Sequence, residues 1–380
     1  MLESQDDKQS WLNKSLPPLN ISWEVLLFGL IILAAIISRF YDLGTRVMSH
    51  DESLHTYYSW LLFKGSGFSH TPLMHGPLQF HLLAFAYQLF GDSDFSARIP
   101  AALFSIATVA FIWKFRRYLG KTGALITAFL FVISPYMLYY GRYARNESFV
   151  VLFGLVSFWA ILRYIDTGKY HYLYYLTAST ALHFTAKETS FIYVAQTLIF
   201  LGFLFLHQVN LGKWKHDSDR TLFIVTLILA LVLIGSAFGI GLSQRSDIAL
   251  NPDEIAAPAV PDETDLEEAP SLTSSPLILG LGLLAFISLI AAFVFLFKGY
   301  GADWLKNTRS FEIIILLFGL VIPHLAAFPV RLAGWDPLDY TTTATNILFG
   351  NEITYLQAIT QIGTFLLPLL ILSFAIGLWW

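Results

Sequence analysis

The tetrapeptide His50-Asp51-Glu52-Ser53 places two adjacent carboxylates shortly after an apolar run that ends at Phe40. A carboxylate held next to a substrate can accept a proton as a general base, and acidic side chains beside membrane-length apolar segments are candidates for function. A structural reading competes for the same residues. Ser49-His50-Asp51-Glu52 has the form of a capping box, in which Ser49 opens a helix over 51–63 and Glu52 reaches back to the Ser49 amide. That helix would lie in the membrane interface, with Leu54, Tyr58, Leu61 and Leu62 on one side. The cap accounts for Ser49 and Glu52 but leaves Asp51 without a task. Asp51 is therefore favoured as a base over a solvated carboxylate at a helix start, and Glu52 stays a second catalytic candidate.

Three further motifs carry polar chemistry. His75-Gly76-Pro77 opens a short apolar helix, with Pro77 suited to a first helical turn and Gly76 to a sharp bend. The same loop holds His50, His55, His70, His75 and His81, half of the ten histidines in the chain. Their spacing matches no closed metal-ligand pattern, and packing or substrate hydrogen bonds are equal rivals for each; His50, His55 and His75 are candidate substrate contacts. The run Tyr140-Gly141-Arg142-Tyr143-Ala144-Arg145-Asn146-Glu147-Ser148 is denser in charge than a hairpin requires. Asn146 is a candidate helix cap and Glu147 suits a first turn. Arg142 and Arg145 remain, and guanidinium groups suit a phosphate through paired hydrogen bonds. Tyr143 and Asn146 are further candidate substrate contacts. Asn146-Glu147-Ser148 also spells a glycosylation acceptor, a chance match this close to a bilayer. In Lys187-Glu188, Lys187 stands where a helix C-terminus favours a cation; joined to Arg142 and Arg145 it could hold an anionic headgroup, with Glu188 alongside.

The elements that must position these residues are apolar helices. The chain of 380 residues is 56% apolar and only 13% charged. Apolar runs of about 17 to 23 residues match the hydrocarbon thickness a helix crosses. The expectation is an all-α, polytopic helical membrane protein of about ten transmembrane helices, over 22–40, 99–115, 122–140, 148–164, 171–186, 190–207, 221–243, 276–297, 311–328 and 360–380. The segment Leu78–Phe90 is too short to cross and reads as re-entrant or interfacial. No cleavable signal peptide precedes the first run, which reads as an uncleaved anchor. With no cysteine, disulfides and thiolate metal sites are excluded.

Basic residues fix the expected orientation. With residues 1–20 as a cytoplasmic tail and Leu78–Phe90 not crossing, Lys114, Arg116, Arg117 and Lys121 fall inside, as do Arg163 and Lys169, Lys213, Lys215 and Arg220, and Lys298, Lys306 and Arg309. All four polar motifs then share the extracytoplasmic face of the plasma membrane, the first two in one long loop, 41–98. A module over 21–210 carries them. A variable region over 211–380 follows, with a flexible acidic loop at 244–275 and a moderately polar segment over 331–360 expected as a small cap. The chain stops within an apolar run ending Trp379-Trp380, which leaves room for a further span or domain.

Together these motifs resemble a family. An acidic pair soon after the first span, a short Pro-containing helix in the first long loop, Gly91-Asp92-Ser93-Asp94-Phe95-Ser96-Ala97-Arg98 leading into the next span, and a charged second hairpin resemble the GT-C glycosyltransferases. The protein O-mannosyltransferase and aminoarabinose-lipid transferase group is the most similar, and within it the proteins of archaea and bacteria called flippase activity-associated, over roughly residues 20 to 210. The resemblance implies that Asp51 is the catalytic base, that Glu147 is the second acidic position, and that Lys187 contacts a lipid phosphate. His75-Gly76-Pro77 stands where this group often has Pro-Pro or Lys-Pro, so substrate choice does not transfer.

The expected activity is inverting sugar transfer from a polyprenyl-phosphate donor to a protein, lipid or glycan acceptor, with no nucleic-acid partner. Asp51 acts as base, while Arg142, Arg145 and Lys187 stabilise the departing phosphate. Should a divalent metal such as Mg, Mn or Zn take part, Asp51 and Glu147 are its candidate ligands. Two alternatives stay open: a lipid-carrier transporter using the same cations, and a non-catalytic accessory protein of the same fold.

Overall fold

A computed structural model describes residues 11–16, 21–67, 75–246, 276–326, 343–346, 351–354 and 370–373. The chain divides into two compact units, Met1–Phe200 and Leu201–Trp380. Helices dominate both, beside two short antiparallel pairs, β1 (Ser15–Leu16) with β2 (Ile21–Ser22) and β3 (Thr343–Asn346) with β4 (Asn351–Thr354).

In the first unit, α1 (Trp23–Phe40) is followed by α2 (His50–Phe63), α3 (Leu78–Phe90), α4 (Asp94–Phe111), α5 (Arg116–Ile133), α6 (Pro135–Tyr140), α7 (Glu147–Thr167) and α8 (His171–Ala186). The next helix, α9 (Ser190–Leu211), runs into the second unit, which adds α10 (Asp217–Ser246), α11 (Pro276–Tyr300), α12 (Ala302–Lys306) and α13 (Arg309–Val321). There Phe205, Val209, Phe223, Ala292, Leu296, Leu305 and Phe311 form one core.

Six helical stretches among the described residues are long and apolar enough to cross a membrane. One of them, Asp94–Ile133, folds back on itself at Gly120, whose φ of 70° lies in the left-handed region open to glycine. The reversal brings Val109 of α4 and Ile112 of the 3₁₀ turn that follows it against Ala128 and Val132 of α5, with Ala35 of α1. The difference from about ten expected spans has identifiable sources. Helix α8, over the expected 171–186, has only 16 residues; α13 gives way to a 3₁₀ turn over Ile322–Ala326, which contains Pro323; of 360–380 only 370–373 are described.

The expected span over 122–140 is broken. Ser134 has φ −57° and ψ 121° and ends α5, because a residue before proline is pushed out of the helical region. Pro135 has no N–H to give the Phe131 carbonyl four residues back, a group any helix end leaves unsatisfied. Arg39 supplies the missing donors: Nη2 donates to Phe131 O at 2.9 Å, Nη1 to Val132 O at 3.0 Å and Nε to Ser105 Oγ at 3.2 Å. One fully buried guanidinium thus joins the ends of α1 and α5 to α4.

Helix α2 is polar inside and apolar outside. Glu52, His55, Thr56 and Ser59 are buried, while Leu54, Tyr57 and Tyr58 are exposed. The Thr56 and Ser59 hydroxyls are satisfied by the Glu52 and His55 carbonyls, both at 2.7 Å. Helix α3, with 13 residues, is about 20 Å long at the usual rise, short of a hydrocarbon core. Its first turn and that of α4 meet at the same place: Gln79 Nε2 donates to Ala144 O at 2.7 Å, and the Ala144 amide and Arg98 share the Glu52 carboxylate. The acidic loop expected over 244–275 starts later, since α10 continues to Ser246; residues 247–275 and most of the cap expected over 331–360 lie outside the described residues, as does His70.

Candidate active site

Glu52 is the structural centre. Five N–H groups converge on its carboxylate: Arg98 Nε at 2.8 Å, Arg98 Nη2 at 3.0 Å, Arg46 Nη2 at 2.9 Å, the Ala144 amide at 2.9 Å and the Ser49 amide at 3.4 Å. The last is the Glu52 half of the expected capping box; the Ser49 hydroxyl lies 2.5 Å from that of Tyr143. Burial pushes the Glu52 carboxyl up, but the Arg98 and Ala144 hydrogen bonds and the charges of Arg98 and Arg46 outweigh it, so its pKa falls below the ordinary value. A carboxylate so engaged has no lone pair free for a substrate proton.

Asp51 is placed differently. Its side chain is 43% exposed where that of Glu52 is closed off, and Arg145 Nη1 donates to Oδ2 at 2.5 Å. The Arg145 Nε lies 3.6 Å from Glu147 Oε1, which in turn accepts from Lys187 Nζ at 2.8 Å. Asp51, Arg145, Glu147 and Lys187 thus form one chain of alternating charge. It is drawn from the start of α2, the loop before α7, the first residue of α7 and the end of α8.

Local features explain how these pieces meet. Asn146 occupies the cap position of α7, yet its side chain does not cap: Nδ2 donates to Ala186 O at 2.6 Å, pinning the Lys187 turn against α7. His75, at φ 65°, takes up the left-handed conformation, while Gly76 serves close approach rather than a bend, since a Cβ there would overlap the Thr185 carbonyl. His75 Nδ1 pairs with Glu188 Oε2 at 2.8 Å. His55 stacks between His75 and Phe80, with ring centroids at 6.1 and 5.6 Å, and its Nδ1 faces Asp51 O at 2.7 Å. Burial, joined by the nearby charges of His75 and Arg145, lowers the His55 pKa despite the opposing pull of Asp51 and its carbonyl. His50 stands exposed at the first position of α2.

Arg142 does not join the cluster. It donates to Ser38 O at 3.0 Å and Asp42 O at 3.1 Å, beside the end of α1. Nor do Asp51 and Glu147 arrange themselves around a metal: both turn toward Arg145, and among the described residues no three acidic or imidazole side chains converge. Both carboxylates are engaged by Arg145 rather than turned toward a shared ion.

Sequence reasoning missed Arg39, Arg46 and Gln79. Arg39 is a cation at the end of an apolar run, a position usually read as an interface anchor; nothing in its spacing pointed to the Pro135 break. Buried atoms without a hydrogen-bond partner among the described residues gather around the cluster: Arg145 Nε, Asn146 Oδ1, Glu147 Oε2, Thr189 Oγ1, Ser190 Oγ, His55 Nε2 and Gln79 Oε1. Each costs about 1–3 kcal/mol when left unmet, and polyol hydroxyls or water could meet them.

Residues 74–245 match the family model described as dolichyl-phosphate-mannose-protein mannosyltransferase, a GT-C domain. The match takes in Arg98, Arg145, Glu147 and Lys187 but starts after Asp51 and Glu52, which reach it through Arg145 and Arg98. No curated protein and no solved structure matches the chain.

Proposed function

We propose a specific reaction, supported by the match of residues 74–245 to a membrane mannosyltransferase family model, which implies a lipid-linked sugar donor and a membrane setting. The protein transfers a sugar from a polyprenyl-phosphate donor to an acceptor hydroxyl or amine, with inversion. The observation that carries this is the alternating chain Asp51, Arg145, Glu147, Lys187 at one end of the helices.

The acceptor nucleophile attacks the anomeric carbon as the bond from that carbon to the phosphate oxygen breaks. The phosphate leaves with the bonding pair, and the acceptor proton passes to Asp51. A carboxylate gripped by Arg145 at 2.5 Å is a poor base until the grip loosens. Donor phosphate supplies the competitor: it draws Arg145 and Lys187 toward itself and frees Asp51 at the moment the donor is in place. Glu147 holds both cations until then. Phosphate is a good leaving group, so no separate general acid is required. Glu52 is a positioning residue that fixes the α2 start against Arg98 and Ala144.

The site faces the extracytoplasmic side in this reading, with the N-terminus cytoplasmic. Supporting it, Arg116 pairs with Glu24 at the start of α1, at the far end of that helix from Arg39, and α3, with 13 residues, is too short to cross. The test is incubation of the purified protein with polyprenyl-phosphate sugars, measuring release of polyprenyl phosphate. Asp51→Asn is expected to lower release by about 10²–10⁴-fold; wild-type release from that variant, with insertion intact, would remove Asp51 as the base.

A further inference from the structure

Near Glu52 lies a cleft of about 390 Å³, lined by Leu43, Arg46, Arg98, Pro135, Leu138, Tyr139 and Arg142. Leu43, Pro135, Leu138 and the Tyr139 ring supply apolar lining. Of its three arginines, Arg98 is committed to Glu52 and the Leu43 carbonyl, Arg46 is held over the Tyr139 and Tyr143 rings at 5.0 and 5.3 Å, and Arg142 holds backbone carbonyls.

Charge around this cleft does not balance. Arg98 and Arg46 share the one carboxylate of Glu52. Arg142 and Arg39 both grip Ser38, Arg142 through its carbonyl and Arg39 through its hydroxyl at 2.8 Å. Among the described residues neither Arg39 nor Arg142 forms an ion pair with a carboxylate; their partners are carbonyls and hydroxyls. Among the described residues Glu52 is the one carboxylate that pairs with any of these four arginines, and Arg39, behind the cleft, is fully buried. Cations clustered this way repel one another, and burial without a counter-ion is costly. By contrast, Arg145 and Lys187 are already matched by Asp51 and Glu147.

We propose that this cleft is a second anion subsite, for a phosphate-headed amphiphile whose single apolar chain lies along Leu43, Pro135 and Leu138 while Arg142 and Arg46 hold its head. A phosphate accepts from guanidinium groups in pairs, and the apolar lining selects a lipid phosphate over a free one. Arg46 connects the subsite to Glu52. Binding here does not depend on Asp51 acting as a base.

The test is calorimetric titration of the purified full-length protein, in uncharged detergent, with octyl phosphate, inorganic phosphate and octanol. Octyl phosphate is expected to bind at two sites, one at the donor cations and weakened in Lys187→Gln, the other kept in Lys187→Gln and about tenfold or more weaker in Arg142→Gln. Because Arg142 also holds Ser38 and Asp42, Leu138→Glu serves as a second variant: it places a carboxylate on the cleft wall, keeps those bonds, and is expected to weaken binding by a similar factor. Three results would overturn the subsite: no binding of octyl phosphate, loss of all binding in Lys187→Gln but of none in Arg142→Gln or Leu138→Glu, or equal affinity for octanol. Equal affinity for inorganic phosphate would overturn the lipid assignment. Failure of Asp51→Asn to impair transfer would leave all of these readings untouched.

Discussion

Arg145 reaches Asp51 across 94 positions of sequence, Nη1 to Oδ2 at 2.5 Å, and in doing so neutralises the one carboxylate of the pair that is open to a substrate. Glu52, its neighbour in sequence, faces another way and is closed off by Arg98. Adjacent residues on a helix point about 100° apart, which is enough to give two carboxylates unrelated surroundings.

Arg145→Gln is the most direct probe of the proposed switch. It frees Asp51 but removes a cation from the departing phosphate, so release of polyprenyl phosphate should fall by about 10²–10³-fold. Arg145→Lys should restore part of it. Kinetics at varied donor concentration provide the check: a variant faster than wild type would mean that Arg145 only restrains Asp51.

Glu52→Gln leaves Arg98 buried without a counter-charge, and breaking a buried pair costs about 3–5 kcal/mol. Thermal unfolding of the purified protein should show the loss. A variant as stable as wild type would mean that the Arg98 contact contributes nothing.

Stability should also depend on acid in a defined direction. The Glu52 carboxyl titrates below its ordinary value of 4.5 in the folded protein, so the stability from its charged form is fully present above that value and is lost as pH falls through the folded pKa. His55, also lowered from its ordinary 6.5, acts in the same sense at higher pH: the unfolded chain binds its proton first. Unfolding temperature measured from pH 8 down to about pH 2 should decline in two stages, and His55→Gln should flatten the earlier one.

Gly76→Ala would set a methyl group against the Thr185 carbonyl. Overpacking of this kind costs about 1–3 kcal/mol, and relief by moving the loop would separate His75 from Glu188. The same variant should therefore lose both stability and transfer, while Gly65→Ala, in a turn with open space around the position, tests the chain's general tolerance at left-handed glycines and should leave transfer intact.

Much of this architecture was legible in composition and punctuation. Leu78–Phe90 reads directly from an apolar run bounded by Pro77 and Gly91, and the observed helix has those limits. The ends of α8 follow from polar hairpins on either side. What the sequence hides is pairing at long range. Arg142 and Arg145 sit three residues apart in one motif, yet one turns to α1 and the other to α2, because the Gly141 to Asn146 segment is not helical and its side chains share no face. Likewise Asn146 fits every cap preference and is drawn off by Ala186 O. The break at Ser134 was available from Pro135 alone; the apolar residues around it masked it.

Helix α2 buries Glu52, His55, Thr56 and Ser59 and turns Leu54, Tyr57 and Tyr58 outward. In water such a helix would roll over, since hydration rewards the opposite arrangement. Its observed orientation suits a helix whose outer side meets hydrocarbon or headgroups, and the bilayer is then one of the parts that keeps Asp51 beside Arg145.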